Sequence, residues 1–237
     1  QLEGQITQLR LLEKVLTKNY GKSIKFFLAL NNHLYTQGQI EKIISYFKNL
    51  FQSKIKGVIC ADIGLMIALR KQFPHLKIHA SLGAPCLNSE AIKFFKKIGA
   101  ERIILDRSVT VAEMRSLRNE NSDIELEAFA FQQGCPHVEG ICTHHHGRDC
   151  VCLANIHEIF PSKIGVENYY MDCLLRLHFL FKIGVDYIKI HRLAEGGATS
   201  IEMLDRYGEI ISFIQLLNRF PKISLKLHFL NKKRNKA

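Results

Sequence analysis

Short apolar runs rich in β-branched and aromatic residues alternate along the chain with longer stretches whose apolar positions recur at helical spacing. The short runs predict strands and the longer stretches predict amphipathic helices. The predicted strands are Ile24–Leu30, Lys56–Ala61, Lys77–Leu82, Arg102–Asp106, Glu125–Phe131 and Tyr187–Arg192. The predicted helices include Gln39–Phe51, Ile63–Gln72, Ser89–Ile98, Thr110–Arg118 and Tyr170–Ile183. Almost continuously apolar strands that alternate with helices indicate parallel βαβ units.

Six such units in series favour a (β/α) barrel over an open sheet. Because eight strands close a TIM barrel, the pattern predicts an α/β, TIM-barrel-like fold that lacks the first two strands. Either the chain begins inside the barrel, or residues 1–20 form an element of another kind. In the absence of a linker or a repeat, we expect one partial barrel over residues 1–225, with a cysteine-rich loop at 134–152, and then a basic tail at 226–237.

Polar residues that follow the predicted strands are the first candidates for chemistry, because parallel barrels carry their active sites at the carboxyl ends of the strands. These positions are Asn31, Asn32, Asp62, Ser81, Asp106, Arg107, Gln132, Gln133, His191 and Arg192. The candidate catalytic residues are Asp62, Lys189, His191 and Arg192, and the last three suit a carboxylate ligand. The glycine-rich residues 196–200 precede a predicted capping box at Thr199–Glu202, and either bind a phosphate or carboxylate or form a simple turn.

The charge balance favours a polyanionic partner only mildly. The 237 residues include 33 basic and 22 acidic ones, for a formal net charge of +11. Such an excess attracts RNA, acidic metabolites and anionic surfaces, but lysines spread along a solvated surface give the same total. No apolar run approaches the roughly 20 residues that span a bilayer, and the first residues hold no signal-peptide core. We therefore expect a soluble cytoplasmic protein with no membrane span.

Seven cysteines give a sharper signal than the charge. An odd number without a secretion signal argues against a disulfide framework. Cys60 and Cys86 stand alone and are interpreted as small hydrophobic residues. The other five fall within a 39-residue window: Cys135, Cys142, Cys150, Cys152 and Cys173. Residues 134–152 alone hold four cysteines and four histidines, a density of soft ligands that predicts a metal or cluster site.

Zinc and an iron–sulfur cluster compete for this site. A structural zinc ribbon usually has two tight Cys-x2–4-Cys knuckles, which the spacing from Cys135 to Cys142 does not form. Thiolates from one long loop and a distant helix suit a 4Fe–4S cluster, with Cys173 as its fourth ligand and zinc as the alternative. The run His144, His145 and His146 is a supporting feature of the metal site, a nucleic-acid contact or an exposed loop.

Three regions of the chain resemble the collagenase-like peptidase family U32. Residues 57–64, with 78–81 and Asn88, are similar to one family region, and residues 99–107 to a second. Glu127-Ala128-Phe129, followed by Cys135, Gly140 and Cys142, matches the family signature Glu-x-Phe…Cys-x4-Gly-x-Cys. Downstream, Asp172-Cys173 and residues 184–190 are also similar. The resemblance spans residues 23–211, about four-fifths of the chain.

The resemblance implies one of two activities. The family name implies a metal-dependent, collagenase-like peptidase. The better-understood members imply a 4Fe–4S protein that hydroxylates its substrate without molecular oxygen. Some of those members act on a tRNA uridine or a ribosomal RNA cytidine, with the carboxylate prephenate as the suggested oxygen donor, and others act on the ubiquinone ring. By this resemblance the cluster ligands are Cys135, Cys142, Cys173 and either Cys152 or Cys150.

Two departures from the family pattern concern the substrate more than the cluster. Phe131-Gln132 replaces a His-Gly pair, and Lys189-Ile190-His191-Arg192-Leu193 replaces a Lys-Ile-Glu-Gly-Arg end. A peptidase has little other support, because the chain has no Gly-x-Ser-x-Gly elbow and no His-Glu-x-x-His helix. We therefore expect an iron–sulfur-dependent hydroxylase that modifies RNA, with a peptidase as the alternative. A ubiquinone-ring hydroxylation component, or a non-catalytic subunit whose partner completes the barrel, is the third possibility.

Overall fold

The computed structural model describes residues 25–50, 55–129, 140 and 176–189, with 209, 211, 212 and 215 besides. Within these ranges the chain forms six strands: β1 (Phe26–Leu30), β2 (Ile55–Cys60), β3 (Lys77–Ala80), β4 (Arg102–Ile104), β5 (Glu125–Phe129) and β6 (Tyr187–Lys189). The helices between them are α1 (Gln37–Leu50), α2 (Ile63–Gln72), α3 (Ser89–Lys97) and α4 (Val111–Glu120). Residues 176–183 are also helical and are called α5 here.

The strands lie in one sheet in the order in which they occur along the chain. Neighbouring strands run parallel, as in the pairs β1–β2, β2–β3, β3–β4 and β5–β6. A doubly wound sheet reverses its strand order at a switch point, whereas strictly sequential order is the topology of a (β/α) barrel. The predicted α/β, barrel-like fold is therefore confirmed.

The core of the sheet forms where alternate strand residues face the helices. The register pairs Val58 of β2 with Ile78 of β3, and Cys60 with Ala80. All four residues have no exposed surface, because successive strand side chains point to opposite faces and this set shares one face. In α2, Leu65, Met66 and Leu69 are equally buried. Burial of this apolar surface provides the main driving force for this part of the fold.

Polar side chains cap the first turns of the helices that follow the strands. Asn88, predicted from the Asn-Ser-Glu pattern, is the N-cap of α3, and its side chain accepts the backbone N–H of Ala91. Thr110 and Glu113 form a reciprocal capping box at α4, in which the Glu113 carboxylate accepts both the N–H and the hydroxyl of Thr110. These bonds to the charged form lower the pKa of Glu113. The predicted capping box at Thr199 lies outside the described residues.

The described residues group into two compact units. The first unit contains the described residues up to Asp106, together with Glu120–Leu126 and Gly140. In this unit, Ile92 and Phe95 of α3 are buried. The second unit contains Arg107–Asn119, residues 127–129 and residues 176–189. Its buried side chains include Met114 and Leu117 of α4 and Leu177 and Leu180 of α5. Arg118 of α4 pairs with Asp186, just before β6.

Within the residues that the structure describes, no helix combines the length and the apolar character that crossing a bilayer requires.

Candidate functional site

The carboxylate of Asp62, a predicted catalytic residue, lies directly after β2 and is almost fully buried. One oxygen accepts the backbone N–H of Leu65 at 2.6 Å, which makes Asp62 the N-cap of α2. The other accepts the backbone N–H of Tyr35 at 3.1 Å. Asp62 therefore fixes the start of α2 and ties the segment after β1 to the end of β2. A catalytic role for the same carboxylate stays a prediction.

Replacing Asp62 by alanine is expected to lower the free energy of unfolding by about 1–3 kcal/mol, because both backbone donors lose their acceptor. Asp62→Asn is the matched control and is expected to cost less. Its amide oxygen still caps Leu65, while its NH₂ group meets the Tyr35 donor. Urea denaturation of the three proteins, followed by circular dichroism, measures both effects. An Asp62→Asn variant as unstable as Asp62→Ala would contradict the assignment of one bond to each oxygen.

Two groups near Asp62 are held in their neutral forms. Burial raises the pKa of the Cys60 thiol to about 12, and its Sγ donates to the backbone oxygen of Asp62. Burial also raises the pKa of Tyr35, and the nearby Asp62 carboxylate raises it further. The backbone N–H of Asn32 favours the phenolate but does not reach hydrogen-bond geometry with the buried Tyr35 hydroxyl. At neutral pH, therefore, both Cys60 and Tyr35 next to Asp62 are uncharged.

The residues after β3 form the contact surface for Gly140. Ser81 is buried and its backbone N–H bonds to the Cys60 oxygen at 2.8 Å, while the Gly83 oxygen lies 3.3 Å from Nδ1 of His33. A Cβ added to Gly140 would lie 2.6 Å from the Gly83 oxygen and 2.6 Å from Cδ of Pro85. Only glycine fits such an approach, so Gly140 is seated on this loop. In the sequence, it lies between Cys135 and Cys142.

A second group of polar side chains surrounds Phe129 at the end of β5. Lys189 is the register partner of Phe129, and its Nζ lies 3.6 Å from Oε1 of Glu127 and 5.7 Å from the Phe129 ring centre. Cζ of Arg107 lies 4.4 Å from the same ring centre. Nε of Arg176 donates to the Phe129 backbone oxygen at 3.1 Å. We call these five residues the Phe129 cluster.

The sequence located part of the Phe129 cluster. The strand-end rule predicts Arg107, and Lys189 is predicted separately as a carboxylate ligand on the last strand, whereas no signal in the sequence predicts Arg176. Glu127 and Phe129 were noted only as part of the family signature, and the structure shows Glu127 to be the ion-pair partner of Lys189. The register between β5 and β6 brings Glu127, Phe129 and Lys189 together, and the sequence carries no local signal for that register.

The other predicted site residues have separate outcomes. Asp106 is buried after β4, while Asn31 is exposed and Asn32 half-buried after β1. Cys60 and Cys86 are buried free thiols, which confirms their interpretation as small hydrophobic residues. Among the described residues, no group of three or more His, Cys, Asp or Glu side chains could hold a metal ion. The following predicted residues lie outside the described ranges: Gln132, Gln133, Cys135, Cys142, His144, His145, His146, Cys150, Cys152, Cys173, His191 and Arg192.

The family resemblance is borne out by comparison with known proteins. The model of peptidase family U32 matches residues 5–149, more than half of the chain. The chain therefore belongs to peptidase family U32. The matched range includes the signature from Glu127 to Cys142 and ends one residue before Cys150.

Individual relatives match the chain in part. The tRNA hydroxylation protein P of Haemophilus influenzae is 30% identical over 118 residues, 50% of this chain and 25% of that protein. The Escherichia coli K12 protein of the same name is 29% identical and also covers 50% of this chain, which corresponds to 26% of its own length. The solved U32 peptidase Mk0906 is 16% identical, with a TM-score of 0.33 over 48% of this chain and 63% of its own. The chain spans about a quarter of the length of the curated relatives it matches.

Proposed function

We propose that this chain takes part in the hydroxylation of a tRNA base. The observation that carries the proposal is the identity of about 30% to proteins named for tRNA hydroxylation, over half of the chain. The formal net charge of +11 supports a polyanionic substrate. A tRNA substrate is also consistent with the cytoplasmic location expected from the sequence.

The chemistry of the donor set supports a 4Fe–4S cluster as the cofactor. Four ligands are proposed: Cys135, Cys142, Cys173 and either Cys152 or Cys150. Thiolates are the usual ligands of such clusters, and the seat of Gly140 on the loop after β3 would help to hold the chain between the first two. When bound, such a cluster supplies electron transfer or an open iron site.

The described residues have supporting roles in this proposal. Asp62 fixes two backbone segments at the carboxyl end of β2, and the ion pair of Glu127 with Lys189 keeps an ammonium group at the end of β6. We propose that a carboxylate-bearing small molecule of the prephenate class donates the hydroxyl oxygen and accepts the two electrons that the substrate loses. A partner subunit that completes the barrel stays a prediction.

The proposal is tested in an E. coli strain that lacks its own tRNA hydroxylation protein P. Expression of the chain in this strain under anaerobic growth is expected to add the mass of one oxygen atom to a tRNA nucleoside, measured by mass spectrometry of digested tRNA. The Cys135→Ala variant, expressed to the same level, is the control and is expected to leave the tRNA unchanged.

Two results would count against the proposal. One is tRNA of unchanged mass in cells where the expressed chain is shown to carry iron. The other is cleavage of unfolded collagen by the metal-replete chain with no effect on tRNA, which would favour the peptidase alternative.

A further inference from the structure

Basic residues gather at the amino edge of the sheet in the first unit. They occupy the last turns of α2 and α3 and the beginnings of β2 and β3: Lys56, Arg70, Lys71, Lys77, Lys96 and Lys97. The carboxyl edge is different. The loops that join β1, β2 and β3 to the helices after them, residues 31–36, 61–62 and 81–88, contain no lysine or arginine. The two edges of this part of the sheet therefore differ sharply in charge.

Arg70 ties the basic segments together. Its Nη2 donates to the Gly99 oxygen at 2.6 Å and lies 3.1 Å from Oε1 of Glu101, while its Nη1 donates to the Pro74 oxygen. The other oxygen of Glu101 lies 3.9 Å from Nζ of Lys77. Arg70 and Lys77 thus share one carboxylate, and α3 ends two residues before Gly99. Because its guanidinium is used in these contacts, Arg70 is a positioning residue for the lysines around it.

Four exposed lysines surround this tie, and we call them the amino-edge lysines: Lys56, Lys71, Lys77 and Lys97. The side chain of Lys77 is 53% exposed, and its distance from Glu101 is too long for a hydrogen bond. Lys56 is the extra residue of a β-bulge between β1 and β2. Among the residues that the structure describes, no carboxylate pairs with Lys56, Lys71 or Lys97. Their ammonium groups are therefore open to a ligand from solution.

Stabilisation of the helices accounts for only two of these lysines. The partial negative charge at the end of a helix favours cations in its last turn, where Lys71 and Lys97 lie. Lys56 and Lys77 lie on neighbouring strands instead, since the register partner of Lys77 is Gly57. Such strands are about 4.8 Å apart, and like charges close together on them are unfavourable. A bound polyanion would relieve the repulsion among all four.

We propose that the amino-edge lysines bind the phosphate backbone of an RNA. A lysine is a point charge on a flexible stem, which suits phosphate contacts that do not depend on sequence. The choice of RNA rests on the proposed function, in which a tRNA is the substrate. A strand is roughly 17–20 Å long, so a folded RNA of tRNA size can contact this edge and still reach the carboxyl edge. The surface supplies affinity for RNA away from the edge where barrels carry out their chemistry.

Binding of fluorescently labelled, unmodified tRNA to the full chain, measured by anisotropy over a series of salt concentrations, tests this surface. Lys77→Gln and Lys97→Gln are each expected to weaken binding roughly fivefold at low salt. Each should also lower the slope of log affinity against log salt concentration by about 0.7–0.9, the effect of one lost phosphate contact. A change in stability alone would not alter this slope.

Two controls and a variant of opposite sign accompany these substitutions. Lys42→Gln is the matched control, because Lys42 is an exposed lysine of α1 in the same unit. It removes the same charge and is expected to leave the slope unchanged. Glu101→Gln removes the carboxylate between Arg70 and Lys77 and is expected to tighten tRNA binding a few-fold, a gain that unfolding cannot mimic. Glu41→Gln, also on α1, is its control and is expected to gain less.

Three results would overturn the proposal: no tRNA binding by the wild-type chain, unchanged binding in both lysine variants, or an equal loss in Lys42→Gln. Lysine variants that lose binding to phosphatidylserine vesicles and keep their affinity for tRNA would also overturn it, because the partner would then be a lipid surface. The outcome is separable from that of the proposed function. A tRNA that binds through these lysines and gains no oxygen atom would count against the proposed function alone. A tRNA that is hydroxylated and binds equally well to the lysine variants would count against this surface alone.

Discussion

Replacing Gly140 by alanine is expected to remove most of the iron and sulfide of the proposed 4Fe–4S cluster while every cysteine remains in place. The added Cβ would lie 2.6 Å from both the Gly83 oxygen and Cδ of Pro85. Real Cβ atoms do not approach other atoms so closely, and Gly83 presents backbone that cannot swing aside. The chain at residue 140 must therefore move away from the loop after β3, and we expect this movement to disturb a cluster proposed to be held by Cys135 and Cys142.

The expected loss is about tenfold or more in the affinity for the cluster, as when a group that supports metal ligands is removed. Iron and acid-labile sulfide, assayed on protein purified anaerobically, measure the effect. Gly38→Ala is the control, since nothing lies within 4 Å of the Cβ it adds to α1. It is expected to keep full iron content and to gain slightly in stability. Wild-type iron content in a folded Gly140→Ala protein would show that the contact of Gly140 with the loop after β3 is not needed for the cluster.

The strand and helix pattern predicts most of the described fold because the elements are strongly periodic. Helix α2 was predicted with its observed limits, and the six predicted strands coincide with the six observed ones. The strand ends were less well predicted. The pattern extends β3 to Leu82 and β4 to Asp106, whereas these strands end at Ala80 and Ile104. Leu82 and Leu105 are buried in the loops that follow, so the apolar character continues past the hydrogen-bonded ladder.

The candidate site was predictable in its positions and not in its contacts. The rule that polar residues at strand ends form the site predicts Asp62 and Arg107, and Lys189 is predicted as a carboxylate ligand on the last strand. The rule could not show that both oxygens of Asp62 are used by backbone donors. Nor could it pair Lys189 with Glu127, because these residues are far apart in sequence and meet only through the register of β5 and β6.

Thiol labelling is expected to divide the seven cysteines into three groups. Burial leaves Cys60 and Cys86 with no more than 2% of their surface exposed and raises the pKa of each thiol to about 12. Because the thiolate is the reactive form, roughly one such thiol in ten thousand is ionised at pH 8. Both are expected to resist iodoacetamide until the protein is unfolded, whether or not iron is present.

The five remaining cysteines are expected to respond to the cluster. In the proposed cluster, four of these thiolates would be shielded by bonds to iron, and chelation of the iron should expose all four to alkylation. The fifth, either Cys150 or Cys152, should be labelled before chelation, so that peptide mass spectrometry identifies the third ligand. Iron content of the Cys150→Ala and Cys152→Ala variants provides an independent check, since only loss of the true ligand should empty the site. Equal labelling of all five cysteines in iron-loaded protein would rule out thiolate ligation by this set, because a coordinated thiolate cannot be alkylated at the rate of a free one.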